Sequence, residues 1–272
     1  MLEFVYPTWK APKNIKALTT TRKGGVSLAP YSGLNVGEHV GDELKYVEQN
    51  RTLVTDFIKH QYAENKAFEN KGSVNKSSAI NSIKLLTPEL PKLEPHWLRQ
   101  EHTTKIVTDS NKNDLTQAYD GQFSQQKSVV CAIMTADCMP VFICNSLGTE
   151  IALVHAGWRG FADGIVEKAM NMFQGSEDQL LVHCGPAISQ RHFEIGDEVR
   201  QQLGGSDCFF RDNINKKGHC FADLVGLLGE RVSARGAQFT HSGYCTYADR
   251  DQFFSYRREN MTGRMVSLLW ME

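Results

Sequence analysis

The stretch TADCMPVFICNSLGTEIALVHAGWRG, residues 135–160, sets a cysteine and a histidine at the ends of two apolar runs, with Trp158, Arg159 and three glycines in the same window. A thiol serves as nucleophile or metal ligand, and an imidazole as base or ligand. Cys138 precedes Met139 and Pro140, where a strand is predicted to break, because proline has no N–H for a central ladder. The thiol then sits at a strand end. His155 closes the run IALV and enters AGWRG, ahead of a helix predicted to start near Phe161. Strand-end loops beside helix N-termini gather donors on a ligand, and the helix dipole there favours an anion or a thiolate. His102, in RQEHTTKIV, is a third candidate. Each has an ordinary alternative, since free cysteine is among the most buried residue types and a lone histidine at a strand end is commonly a hydrogen-bonded core group. The separations, 36 residues from His102 to Cys138 and 17 from Cys138 to His155, match no local ligand signature such as CxxC or HExxH. Taken alone, these residues leave packing and reactivity both open.

Other polar groups are candidates for holding a substrate. Arg22, just before Gly24 and Gly25, would bind a phosphate together with loop amides, Arg159 is a second anion binder, and Asn35 in LNVG suits a sugar or a base. For each arginine a surface ion pair is the competing role. Arg257 and Arg258 are weaker candidates, and Asp137 and Glu194 are carboxylates for orienting a ligand, carrying a proton or capping a helix. TRKGGVS has glycines but not the GxxxxGK[ST] spacing, so ATP hydrolysis is not expected.

The elements that must position these groups read as mixed. A strand in IKALTTT leads into a turn-rich loop, and Asp42 is placed to cap a helix over residues 43–58, where Leu44, Val47, Val54 and Ile58 recur at helical spacing. Residues 61–95 are rich in Asn, Lys, Ser and Glu and are expected to form a partly mobile polar surface insertion. Short buried strands are predicted at Val129–Ile133, Val141–Cys144, Ile151–Val154 and Leu180–Val182. FADGIVEKAMNMF is predicted as a helix with Phe161, Ile165, Ala169 and Met172 on one face. A further helix over about 222–235 should end at Gly236, and MVSLLW should be a closing strand. Without a strict βαβ rhythm or an internal repeat, the fold class is α+β, a single domain over 1–272 of mixed β-sheets flanked by helices.

Composition narrows the partners. A formal net charge of -1 gives no electrostatic reason for nucleic acid or an anionic membrane, and no run approaches the ~20 apolar residues of a bilayer span. The opening MLEFVYPTW has no signal-peptide pattern, and seven cysteines do not form the dense even framework of a secreted domain, so a cytoplasmic protein with reduced thiols is expected.

TTRKGGVS, PYSGLNVGEHVGD, RQEHTTKIV, the DG at 120–121, TADCMPV, HAGWRG, GPAISQRHFEIGDEV and FFSYRRENMTGR follow in order the pattern of the YfiH family. The chain resembles that bacterial family, catalogued first as laccase-like polyphenol oxidases and later as purine nucleoside phosphorylases with adenosine deaminase activity, over nearly all its length except the polar insertion. The resemblance implies a YfiH-like layered sandwich and a catalytic metal site at His102, Cys138 and His155, holding zinc, with copper as the other candidate. It also implies purine nucleoside and phosphate as partners, with adenosine, inosine or methylthioadenosine as the nucleoside. Where the family pattern reads QVHG, this chain has Gln100, Glu101, His102 and Thr103. Two alternatives stand beside it: a copper-dependent polyphenol oxidase, and a metal-free Cys–His hydrolase or deamidase.

Overall fold

The computed structural model describes residues 1–70, 93–110 and 116–272. A five-stranded sheet runs in the order β1 (Phe4–Val5), β2 (Ile15–Thr20), β14 (Met265–Met271), β6 (Val130–Thr135), β3 (Pro95–His96). A six-stranded sheet runs β13 (Gln238–His241), β9 (Leu180–Cys184), β7 (Met139–Asn145), β8 (Ile151–Ala156), β5 (Gly121–Ser124), β4 (Ile106–Val107). A small third sheet, β10 (Glu194–Gly196), β12 (His219–Ala222), β11 (Phe210–Asp212), completes the β structure of the described residues.

The central strands β6, β7, β8, β9 and β14 are buried on both faces, and their two-residue alternation sorts side chains between cores. In β6, Cys131 and Ile133 join Phe142 and Cys144 of β7 and Ile151 and Leu153 of β8 in one cluster between the two large sheets. Val130, Ala132 and Met134 point the other way, to a cluster with Val54 and Ile58 of α1 (Leu44–Asn70). On the far face of the six-stranded sheet, Val141, Ile143 and Val154 pack with residues of α2 (Trp158–Ala162), α3 (Ile165–Met170), α4 (Asp197–Leu203) and α5 (Leu224–Ala234). The order is helix, sheet, sheet, helices, the layered α+β sandwich expected.

Several local expectations are corrected. The first helix does not stop at 58: α1 continues to Asn70, with Tyr62 packed on the same core as Ile58 and Asn65 Nδ2 donating to Glu272 at 3.1 Å. Residues 61–70 of the polar stretch are therefore helical, Leu93 and Pro95 at its other end are buried, and 71–92 lie outside the described residues. Asp42 stands one residue too early to cap; its carboxylate accepts from the Glu43 N–H, the Ser27 hydroxyl and the Asn35 amide. The strand does not break at Pro140, which is the second residue of β7. It sits opposite Gly185, just past the end of β9, where its carbonyl accepts from the Gly185 N–H at 2.9 Å, so the one rung that proline cannot donate falls at the margin of the pairing. FADGIVEKAMNMF is two short helices, α2 and α3, because Gly164 adopts φ 82° between them. The α5 end is as predicted, with Gly236 left-handed at φ 82° just past it.

Candidate metal centre

One end of the six-stranded sheet collects the reactive groups. His155 is near the end of β8, Cys138 immediately precedes β7, and the antiparallel register places Pro140 opposite His155. Gly121 of β5 pairs with Val154, which sets Asp120 beside the same corner, and His102 lies on the segment entering β4. The three ligand-type atoms of His102, Cys138 and His155 all lie within 4.8 Å of one another. His102 Nε2 is 3.7 Å from Cys138 Sγ, and the two imidazole centroids are 4.7 Å apart.

Asp120, fully buried, organises this corner. Its Oδ1 accepts from His155 Nδ1 at 2.7 Å and from the His102 N–H at 3.0 Å, and its Oδ2 from the N–H groups of Thr103 at 2.6 Å and Glu101 at 3.2 Å. These bonds hold His102 at φ 60°, a left-handed conformation disfavoured for a non-glycine residue. They also fix the His155 tautomer: Nδ1 carries the proton toward the carboxylate, leaving Nε2 to face the cluster.

Asp137 does the same for the thiol. At φ 97° it turns the chain into Cys138, its carboxylate accepting from the Thr246 hydroxyl at 2.6 Å and the Arg257 N–H at 2.7 Å, and its carbonyl from Ile188 N–H at 2.9 Å. Gly157 leaves the room. A Cβ there would lie 2.4 Å from His102 Cδ2 and 3.1 Å from Cys138 Sγ.

Burial alone would raise the Cys138 thiol; the His155 and His102 imidazoles outweigh it and bring its pKa down to about 6. Burial likewise pushes His155 down, but the Cys138 thiolate and Asp120 outweigh it and raise it to about 9. Desolvation works against the Asp120 carboxylate too, and its bonds from His155 and Thr103 hold it below the ordinary carboxylate value. A tetrahedral zinc with Zn–S of ~2.3 Å and Zn–N of ~2.0–2.1 Å spaces its ligand atoms by roughly 3.3–3.6 Å. The 3.7 Å edge between His102 and Cys138, the two imidazoles, the low-pKa thiol and the gap at Gly157 make a donor set that would suit such an ion. The same atoms without metal set the Asp120–His155 pair near a thiol suited to act as nucleophile.

The predicted substrate residues are not brought together in the same way. Asn35 is fully buried, its amide donating to Asp42 and the Gly37 carbonyl and its oxygen accepting from the Gly37 and Arg264 N–H groups. These four bonds make it an anchor between the loop before α1 and the segment entering β14. Arg22 lies over the Phe254 ring at 4.6 Å and pairs with Glu259 at 3.5 Å, with further bonds to the carbonyls of Ser32 and Arg250. Arg159 is exposed on α2, stacked over Trp158 at 4.3 Å and without an ion pair among the described residues. Glu194 pairs with Lys216 in the small sheet. Arg258 is enclosed by the carbonyls of Thr246, Tyr247 and Phe253 and clamps the segment that holds Asp137. A cavity of about 500 Å³ at the ends of β9 and β13, lined by Ile188, Arg191, Phe239 and Tyr244 among others, includes none of the three donors. Reasoning from residue types missed Asp120, for which an aspartate followed by glycine at a strand start was the one available signal.

A family model described as "Multi-copper polyphenol oxidoreductase laccase" matches residues 16–71 and 74–272. The chain is 35% identical over 273 residues to the purine nucleoside phosphorylase YfiH of Escherichia coli (strain K12), covering 100% of both chains. It is 33% identical over 276 residues to a purine nucleoside phosphorylase of Haemophilus influenzae, again over 100% of both. A crystal structure of a Neisseria meningitidis protein superposes with TM-score 0.81 at 33% identity, covering 99% of each chain. One of Bacillus licheniformis YfiH, at 24% identity and TM-score 0.77 over 95% of this chain and 93% of that one, shares the fold.

Proposed function

The chain belongs to the YfiH family, matched by the multi-copper polyphenol oxidoreductase laccase model over almost its whole length, and from that premise we propose a metal-dependent purine nucleoside phosphorylase. In this reading the metal is zinc, held by His102, Cys138 and His155. The nucleoside is adenosine, inosine or methylthioadenosine, and adenosine deamination is a second activity. The observation that carries it is the convergence of an N, S, N donor set on one corner, joined to relatives named for phosphorolysis. An ion held by these three residues would supply Lewis acidity and would lower the pKa of a water toward neutrality.

The chain's own groups do the rest. Asp120 holds a proton on His155 Nδ1, so Nε2 is the atom that faces the centre, and on metal binding the ring would give up the proton that it carries there in the metal-free thiolate–imidazolium pair. Cys138 enters as a thiolate near neutral pH without a separate base. Arg159, exposed just past Gly157, is a rim cation for an approaching anionic substrate. All seven cysteines are free thiols, and no helix among the described residues is long and apolar enough to cross a membrane; with the near-neutral charge this supports a cytoplasmic enzyme of small molecules rather than a nucleic-acid binder.

Incubating purified protein with adenosine and phosphate is expected to release adenine and ribose 1-phosphate, with inosine marking deamination. No turnover at full zinc occupancy would sink the reading. A polyphenol oxidase using several coppers is not favoured, because all nine histidines are described and His102, Cys138 and His155 form the one group among the described residues arranged to hold a metal. Copper can still compete for that single site. The metal-free Cys–His hydrolase is kept by one observation, the Asp120–His155 hydrogen bond with the Cys138 Sγ within 4.8 Å of a His155 ring nitrogen. His102→Ala separates the two: the metal reading loses turnover with its ligand, whereas a thiol nucleophile served by His155 keeps it.

A further inference from the structure

A cation beside the metal centre lacks a carboxylate partner. Arg264 immediately precedes β14, and the register pairing Met265 with Thr135 of β6 sets Arg264 level with Ala136, two residues before Cys138. Its backbone is pinned to the loop before α1, the N–H donating to Asn35 Oδ1 at 2.9 Å and the carbonyl accepting from Val36 at 3.3 Å. Gly37 makes way for its stem, since a Cβ there would lie 2.8 Å from Arg264 Cγ. Nη1 donates to the carbonyls of Thr262 and Gly263 at 3.0 Å, and the guanidinium stands 6.0 Å from the Tyr256 ring. Among the described residues, no carboxylate oxygen lies within ion-pair distance of it.

The nearest anions are already engaged. Cys138 and Asp137 act on Arg264 ahead of Tyr256 and Tyr31, yet burial still dominates and holds its pKa below the ordinary arginine value. The Asp137 oxygens are taken by Thr246 and Arg257, and a metal would take the Cys138 thiolate. A partly desolvated guanidinium left without an anion is costly to hold in the fold, and it becomes favourable when a ligand supplies one. His39, exposed on the turn Glu38–Val40, stands two residues beyond Gly37, the residue packed on the Arg264 stem. Arg51, by contrast, is paired with Glu38 and lies over the Trp97 ring at 4.2 Å.

We propose that Arg264, with His39 beside it, is the subsite for inorganic phosphate next to the metal centre, in place of Arg22, whose guanidinium is committed elsewhere. This deepens the phosphorylase reading and rests on it. A planar fork facing a tetrahedral oxyanion gives two parallel charge-assisted bonds, which a lysine cannot reproduce.

Titration calorimetry of the metal-loaded protein with inorganic phosphate tests it, with zinc content and adenosine affinity measured alongside. Arg264→Gln is expected to weaken phosphate binding ~30-fold or more and Arg264→Lys ~10-fold, the lysine keeping charge but losing the fork. Zinc content and adenosine affinity should move little, and Arg211→Gln on the distant small sheet should leave phosphate binding unchanged. If Arg264→Gln does not fold by circular dichroism, the lysine variant and His39→Gln decide the matter. Wild-type protein without saturable phosphate binding, or any folded Arg264 variant that binds phosphate as wild type does, overturns the proposal. Phosphate held through Arg264 with no nucleoside cleaved would instead sink the phosphorylase reading and leave this subsite standing. Cleavage with an unmoved phosphate KM in Arg264→Gln would do the reverse.

Discussion

At the scale of single residues, Gly157 separates space from conformation. Its backbone, φ -66° and ψ 159°, suits any residue, so glycine is required only because a Cβ would press on His102 and Cys138. On the proposed zinc reading, Gly157→Ala is therefore expected to fold with near wild-type stability and to bind far less zinc than the wild type, which metal analysis beside a thermal melt would show. Asp120 is the opposite case, since four donors converge on its two oxygens. Asp120→Asn turns an NH2 toward one pair of those donors, and the expected result is a loss of metal affinity of ~10–100-fold with about 2–4 kcal/mol of stability. Competition with a chelator and urea unfolding measure the two effects. The thiol gives a third outcome. In metal-free protein carrying Cys208→Ser, alkylation of Cys138 should reach half its maximal rate near pH 6, while Cys131 and Cys144, pushed up by burial to about 12, stay inert.

At the scale of elements, the strands around the site were legible because buried β-branched runs bounded by turn formers have few other readings, and β6, β7, β8 and β9 appear where the runs in the sequence lie. What composition could not show was α1 continuing through Lys59–Asn65, whose polar residues ride on a helix anchored by Tyr62. Nor could periodicity show the break at Gly164, which follows from a backbone angle. The candidate trio could be grouped only through resemblance, because strand register, not sequence distance, closes the gaps between positions 102, 138 and 155. Asn35 shows another gap: its type suggested a sugar contact, and only the fold shows the four bonds that make it a loop anchor. The turn at Asp137 can be tested as an element. Asp137→Ala loses two side-chain bonds and puts an alanine at φ 97°, whereas Asp137→Asn keeps one acceptor and tolerates the left-handed region better. The alanine variant should be less stable than the asparagine variant by about 1 kcal/mol or more by urea unfolding, with Cys138 alkylating more slowly at pH 6.5.

At the scale of the whole molecule, the two large sheets share an interior that must stay uncharged. His183, on the β9 face that carries Leu181, is buried in that layer against the Trp9 and Phe142 rings, each centroid 6.0 Å away, with Nδ1 2.8 Å from Thr240 Oγ1. Burial lowers its pKa to about 4, with a smaller push from His241. The unfolded chain, titrating near ~6.5, then binds more protons than the folded one between those two values. Stability from this group is complete above pH ~6.5, falls as the pH drops toward about 4, and changes no further below it. The span corresponds to at most about 3 kcal/mol. Carboxylates and the His155–Cys138 pair titrate over part of the same range, so the wild-type curve alone does not isolate the effect. The difference between wild type and His183→Asn does: urea midpoints at pH 7.5 and pH 4.5 should draw together in the variant by most of that amount. An equal acid sensitivity in both proteins would mean that the intersheet layer admits water or charge, and that the sandwich is held chiefly by its two outer faces.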